Sequence, residues 1–197
     1  MQSAGALKID VHKMDVDYLS TGAMKWLLGS AGVGFFYAAR RHLDKMPPHA
    51  GGPGARPDSR LWAKREFIPK AGADRFHVGM PNLIGLAATR PGLELLHEIG
   101  METVEEQVLD LSGYCIAQLR ERELTVITPF EERYRAGIVS IEMRDDEDAR
   151  AADEFLTARG VDGYHHMRIL RVDPHVFNNR DDIDRFLTEL DAYLAQK

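Results

Sequence analysis

Lys25 stands in the stretch Gly22-Ala23-Met24-Lys25-Trp26-Leu27-Leu28, where every neighbour is small or apolar. An ammonium in such surroundings loses hydration, and desolvation lowers its pKa. A lysine made neutral in this way is a nucleophile toward an aldehyde, the chemistry of Schiff-base catalysis. The alternative is a lysine whose stem lies along apolar surface while its charge reaches water. Arg171 is the second residue of interest, at the end of a short apolar stretch and followed by Val172-Asp173-Pro174-His175-Val176-Phe177-Asn178-Asn179. A guanidinium forks onto a carboxylate, or it joins a surface ion pair.

Other candidates carry less. Gly29-Ser30-Ala31-Gly32-Val33-Gly34 has the look of a phosphate-cradling loop, yet a tight turn ahead of a strand explains its glycines as well. His165, His166 and His175 invite a metal reading. Adjacent histidines on a strand point to opposite faces, and no carboxylate or thiol completes a ligand spacing, so no metal site is expected. No G-x-S-x-G turn is present to support a serine nucleophile. Arg40-Arg41 with Lys45, and Lys64-Arg65 with Trp62, are basic enough to face phosphate; a solvated helix face and loop is the preferred reading.

These residues need elements to hold them. The chain has 197 residues, 44% of them apolar and 28% charged, enough for a real core and outside the range of a disordered protein. Its formal charge of −6 argues against a dedicated nucleic-acid binder. The single cysteine, Cys115, precludes an internal disulfide and a cysteine-rich metal site. No apolar run spans a bilayer and the first residues lack a secretory pattern, so a cytoplasmic location is the expectation.

Asp17–Leu19 and Gly32–Tyr37 read as strands around Lys25. Residues 47–58, rich in Pro and Gly, read as a loop. A helical pattern begins at Asn82, with Pro91 suited to a helix start and Gly100 to punctuation. Val104, Val108, Leu111, Cys115 and Leu119 form one stripe of a long helix, which makes Cys115 a buried small hydrophobe. Leu124–Ile127, Gly137–Met143 and Arg168–Val172 read as strands. Glu147–Arg159 reads as a helix stopped by Gly160, and a last helix carries Ile183, Phe186, Leu187, Leu190 and Leu194, with Asn179 and Asp182 at its start. The result is an α/β body with helices on a small sheet, and a domain boundary falling within residues 90–120.

Three segments, in this order, resemble the class V aminotransferases, pyridoxal-phosphate enzymes of fold type I that include cysteine desulfurases, selenocysteine lyases, kynureninases and isopenicillin-N-epimerase-like proteins. Gln2 to Tyr37 is similar to the stretch from the cofactor-contacting Gln through the Schiff-base Lys to the strand beyond it. Residues 75–82, RFHVGMPN, resemble the family's R-F-x-x-G-T-P-N, and residues 170–187 resemble its R-V-S-P-H-x-Y-N-T segment and the helix after it. The resemblance extends through almost the whole chain. It implies the C-terminal part of the fold type I transferase fold: residues 1–100 as part of the large, cofactor-binding domain, and 101–197 as the small C-terminal α/β domain. It implies that Lys25 forms the Schiff base with pyridoxal 5'-phosphate and shuttles protons. Gln2 would meet the cofactor's phenolic oxygen, Thr21 would help hold its phosphate, and Arg171 would clamp a substrate carboxylate. The segment around Met80 would reach a partner's cofactor across a homodimer. The substrate would be an amino acid or related amine.

The departures are equally specific. Met24 stands where the family usually has His, Gly22 where a Ser or Thr helps hold phosphate, and Met80 where it has Thr. Without those hydroxyls, phosphate contacts would fall to backbone N–H groups and Thr21. Residues 160–167 contain no cysteine, so a persulfide-type desulfurase is not expected. The family's Asp for the pyridine nitrogen would fall before Met1, as would the N-terminal phosphate turn and the ring-stacking residue. The expectation is therefore a fragment with little activity alone. The alternatives are a non-catalytic remnant serving as a dimerisation or partner-binding module, or a truncated frame whose bare sheet edge aggregates.

Overall fold

The computed structural model describes residues 1–43, 45–58 and 67–197. Trp62, Lys64 and Arg65 lie outside the described residues. The chain divides into two compact units, one of Met1–Ala4 with Ile9–Glu98, the other of Gly5–Lys8 with Ile99–Lys197.

In the first unit, β1 (Tyr18–Gly22) pairs antiparallel with β2 (Gly34–Ala38), in register from Tyr18 opposite Ala38 to Gly22 opposite Gly34. A short helix, α1 (Arg40–Leu43), follows. Its Arg41 pairs with Asp15 at 2.9 Å and with Asp17, and His42 Nε2 lies 2.7 Å from the same Asp17 carboxylate, so this part of the basic tract is matched by acid on the unit's own surface. Within the Pro/Gly-rich loop, Pro53–Ala55 form one 3-10 turn.

The helix α2 spans Leu83–Ile99 and opens at Asn82, whose Oδ1 accepts from the Gly85 N–H at 2.9 Å. The expectation that Pro91 starts a helix is corrected here, because Pro91 lies inside α2. Proline removes one i→i−4 bond, and the helix of 17 residues continues on the turns either side.

The second unit begins its long helix, α3 (Met101–Glu121), after Gly100 at φ 87, a left-handed conformation that glycine adopts without steric cost. A three-stranded antiparallel sheet has the order β3 (Val139–Glu142), β5 (Ile169–Val172), β4 (Tyr164–His166). The strand expected at Leu124–Ile127 is reduced to a single bridge between Val126 and Ile141. The three residues Tyr164–His166, outside the expected strands, pair instead with the other edge of β5.

Helix α4 (Asp146–Thr157) is capped by Asp145, whose side chain accepts from the Asp148 N–H. Helix α5 (Arg180–Leu194) starts with a full capping box between Asn179 and Asp182, as its sequence predicts. The core fills the space between α3, α4, α5 and one face of the sheet: Leu111, Cys115, Ile116, Leu119, Val139, Ile141, Leu156, Leu170, Leu187 and Leu190 are essentially inaccessible. Cys115 is fully buried, and burial pushes its thiol up to about 12, the state of a structural side chain. Among the described residues, no helix is long and apolar enough to cross a membrane.

Candidate functional site

Lys25 sits on the turn that follows β1, and that turn is pinned from several sides. Ala23 donates its N–H to Val33 O at 2.9 Å, and its carbonyl accepts from Gly29 at 2.8 Å. The Lys25 carbonyl accepts from Leu28 N at 2.9 Å, closing the turn. Ala23 and Trp26, on either side, are buried. Leu28 holds φ 54, a conformation unfavourable for a branched L-residue.

Helix α2 backs this turn. A Cβ on Gly92 would lie 2.4 Å from Leu28 O, so only glycine permits the approach. The buried Thr89 hydroxyl donates to Gly85 O at 2.8 Å and accepts from Ser30 N at 3.0 Å, tying the Gly-rich loop to the helix. The N–H groups of Gly29 and Ser30 are therefore spent inside the unit, and the tight-turn reading of GSAGVG is the one these bonds support.

Against this rigid backbone the Lys25 side chain is exposed, and it makes no hydrogen bond or ion pair with any described residue. Of the two readings of Lys25, this exposure supports the one in which the charge reaches water, not the desolvated amine. The buried residues are its neighbours Ala23 and Trp26, while no residue of β1 or β2 is buried.

The start of the chain comes to the same end of β1. A Cβ built on Gly22 would lie 3.3 Å from Met1 Cε, which places Met1 against the residue between Thr21 and Ala23. The next residue, Gln2, has a side-chain Oε1 that is buried and has no hydrogen-bond partner. Leaving such an atom unpaired costs about 1–3 kcal/mol. The Thr21 hydroxyl reaches only the neighbouring Gly22 carbonyl, at 3.2 Å. In the segment RFHVGMPN, Arg75 is buried and donates to Lys70 O at 3.2 Å and to Leu43 O, Asn82 caps α2, and Met80 projects with 87% of its surface exposed.

Arg171 belongs to the second unit. It occupies the middle strand of the sheet, opposite Ser140 on one side and Tyr164 on the other. Leu170 and Val172 point into the core, so Arg171 lies on the face turned away from it. Its guanidinium lies 5.8 Å from the centre of the Tyr164 ring. Its fork is already engaged: Nε donates to Asp173 Oδ1 at 2.7 Å, and the terminal nitrogen donates to Asp173 Oδ2. That bidentate bond raises the Arg171 pKa further, against the opposing effect of partial burial.

Two acidic partners were not singled out in the sequence. Asp173 stands two residues beyond Arg171, a spacing that puts both on one side of an extended chain, so it was open to reading. Asp153 holds His165 Nδ1 at 2.7 Å across twelve residues, which no local pattern announces. His175 is buried, its ring stacked 5.0 Å from Phe177 and its Nδ1 accepting from Val176 N, as a structural histidine would be.

The model of the class V aminotransferases matches residues 1–173 of this chain. The chain belongs to the class V aminotransferase family. Among curated members it is 28% identical over 201 residues to an uncharacterized aminotransferase, YcbU, of Bacillus subtilis, matching 100% of this chain and 50% of that protein. It is 30% identical over 200 residues to a kynureninase of Stenotrophomonas maltophilia, covering 97% of this chain and 47% of that enzyme. Among solved structures, the apo cysteine desulfurase of Thermococcus onnurineus superposes with a TM-score of 0.85 at 23% identity, over 100% of this chain and 51% of that one. The C-DES protein with glycine covalently linked to its PLP cofactor superposes with a TM-score of 0.82 at 24% identity, over 96% of this chain and 49% of that one. The fold is thus that of the class V enzymes, and the chain spans about half the length of the curated relatives it matches.

Proposed function

We propose that this chain is the C-terminal part of a pyridoxal-phosphate-dependent class V aminotransferase-like protein, acting on an amino acid or related amine through the Lys25 amine. The observation that carries the reading is the turn at Lys25: a backbone fixed by three hydrogen bonds presents an amine with no partner among the described residues. The residues nearby suit the cofactor. Gln2 has a buried amide oxygen in want of a partner, and the pyridoxal phenolic group is one. Thr21 has a hydroxyl committed only to its neighbour's carbonyl, and it is free to turn toward phosphate.

When bound, pyridoxal phosphate supplies an aldehyde for an amine and an electron sink for charge developing beside that nitrogen. The chain's own contribution is positioning and proton transfer. Lys25 Nζ would be the amine that holds the cofactor, and the group placed to give or take a proton at the substrate carbon. Arg171 would be the cation that faces the substrate, and Met80 is exposed enough to reach a second copy in a homodimer. Lys25 is exposed among the described residues, with no cover to exclude water from a reacting amine. Turnover by the chain alone is accordingly expected to be small.

The test is a titration with pyridoxal phosphate followed by visible absorption. A new band that disappears in Lys25→Ala supports the reading; no band, or one indifferent to that substitution, overturns it. The second reading, a non-catalytic dimerisation or partner-binding remnant, is favoured by the exposed side chains of Phe35, Phe36, Ile84 and Leu86 in the first unit. A stable homodimer in sedimentation, with no band on adding the cofactor, would select it.

A further inference from the structure

The carboxylate fork of Arg171 is not waiting for a substrate; it is filled by the chain itself. Asp173 meets the guanidinium with both oxygens, in the side-by-side geometry that an incoming carboxylate would need. Both side chains are mostly shielded, at 21% and 32% exposed, so water weakens the pair less than it would at the surface. Only one residue separates the partners, so the internal carboxylate is present at a high effective concentration. A substrate carboxylate arriving at this fork meets a neutralised cation and a like charge beside it.

We propose that Asp173 is a specificity-determining residue: by occupying the Arg171 fork it turns the site away from α-amino acids and toward amines that bring no carboxylate to that position. The inference rests on the reading of Arg171 as the substrate-facing cation. A substrate without a carboxylate leaves the Arg171–Asp173 pair intact, whereas an α-amino acid has to break it and repel Asp173 as it binds. The Tyr164 ring beside the guanidinium supplies apolar surface to the same face of the sheet.

The experiment reads the fork directly and needs no turnover. The Arg171 Nε–H resonance of the full chain is followed by NMR while acetate, and separately L-alanine, is added to the natural protein and to Asp173→Ser. The expected result is a saturable shift in Asp173→Ser, with a dissociation constant at least about tenfold lower than in the natural protein for both carboxylates. Equal affinities in the two proteins, or no binding to Asp173→Ser, overturn the proposal. Should Asp173→Ser lose its fold by circular dichroism, Asp173→Asn, which keeps the side chain's size, takes its place under the same criteria. The cofactor titration of Lys25 is run on the same samples. A missing cofactor band beside the expected acetate result refutes the function and leaves the occupied fork standing; a normal band beside unchanged acetate binding does the reverse.

Discussion

The two units differ in what they keep dry. The second unit closes its own core: α3, α4, α5 and the sheet meet over large aliphatic side chains, and Asp148, 5% exposed, ties the first turn of α4 to Tyr193 and Lys197. Among its described residues the first unit buries mainly small ones, with Trp26, Val33 and Leu96 the larger contributions, while Phe35, Phe36, Leu83, Ile84 and Leu95 are exposed on β2 and α2. The unit with Lys25 has a hydrogen-bonded turn beside exposed apolar side chains, and the unit with Arg171 has the larger closed core, although Met167 and Phe177 stay exposed there. The amine proposed to engage the cofactor is exposed, and the cation proposed to face the substrate already holds a carboxylate of its own chain.

The contrast can be broken by mutation, and the largest effect is expected in the second core. Leu170→Ala removes a fully buried side chain from the middle strand and should cost about 2–5 kcal/mol in denaturant unfolding of that unit. Leu96→Ala in the first unit, where fewer large neighbours are buried, should cost less; an equal or greater loss there would contradict the contrast. Hydrogen exchange sharpens it: amides of α3, β3 and α5 should open only near global unfolding, and those of β1 and β2 well before it.

Next comes acid. Burial alone would push Asp148 up, but hydrogen bonds from Arg144, Lys197 and Tyr193 outweigh it and hold the carboxyl well below the usual carboxylate range. A depressed folded pKa means that the stabilisation is complete above about pH 4, the unfolded value, and is lost as pH falls through the lower folded one. The second unit should lose stability progressively below about pH 4, and Asp148→Asn should flatten that slope while destabilising the protein at neutral pH. A profile unchanged by Asp148→Asn would show that the clamp contributes nothing. The smallest effect is at the start of α5, where Asn179→Ala removes the cap and should cost about 1 kcal/mol.

Much of this was open to reading in advance, unevenly. The stripe Val104–Leu119 and the Asn179–Asp182 box are local signals with a fixed period, and both formed as their residues dictate. Pro91 misled, because a proline marks a helix start and a tolerated interior site with the same residue. The bridge at Val126 fell short of a strand because pairing depends on a distant partner, Ile141. Lys25 and Arg171 are singled out by residue type and motif order, whereas the exposure of the one and the occupancy of the other depend on what packs around them. Only Asp173, two residues from its partner, could have been found without a structure.

The account's central claim is that Lys25 is the amine that takes pyridoxal phosphate, and reductive trapping asks this most directly. The chain is mixed with the cofactor, reduced with borohydride, digested, and its peptides are weighed. The account predicts a pyridoxyl group concentrated on the peptide carrying Lys25, and its loss in Lys25→Ala. A label spread over Lys8, Lys13 and Lys45, or absent from Lys25, would contradict it.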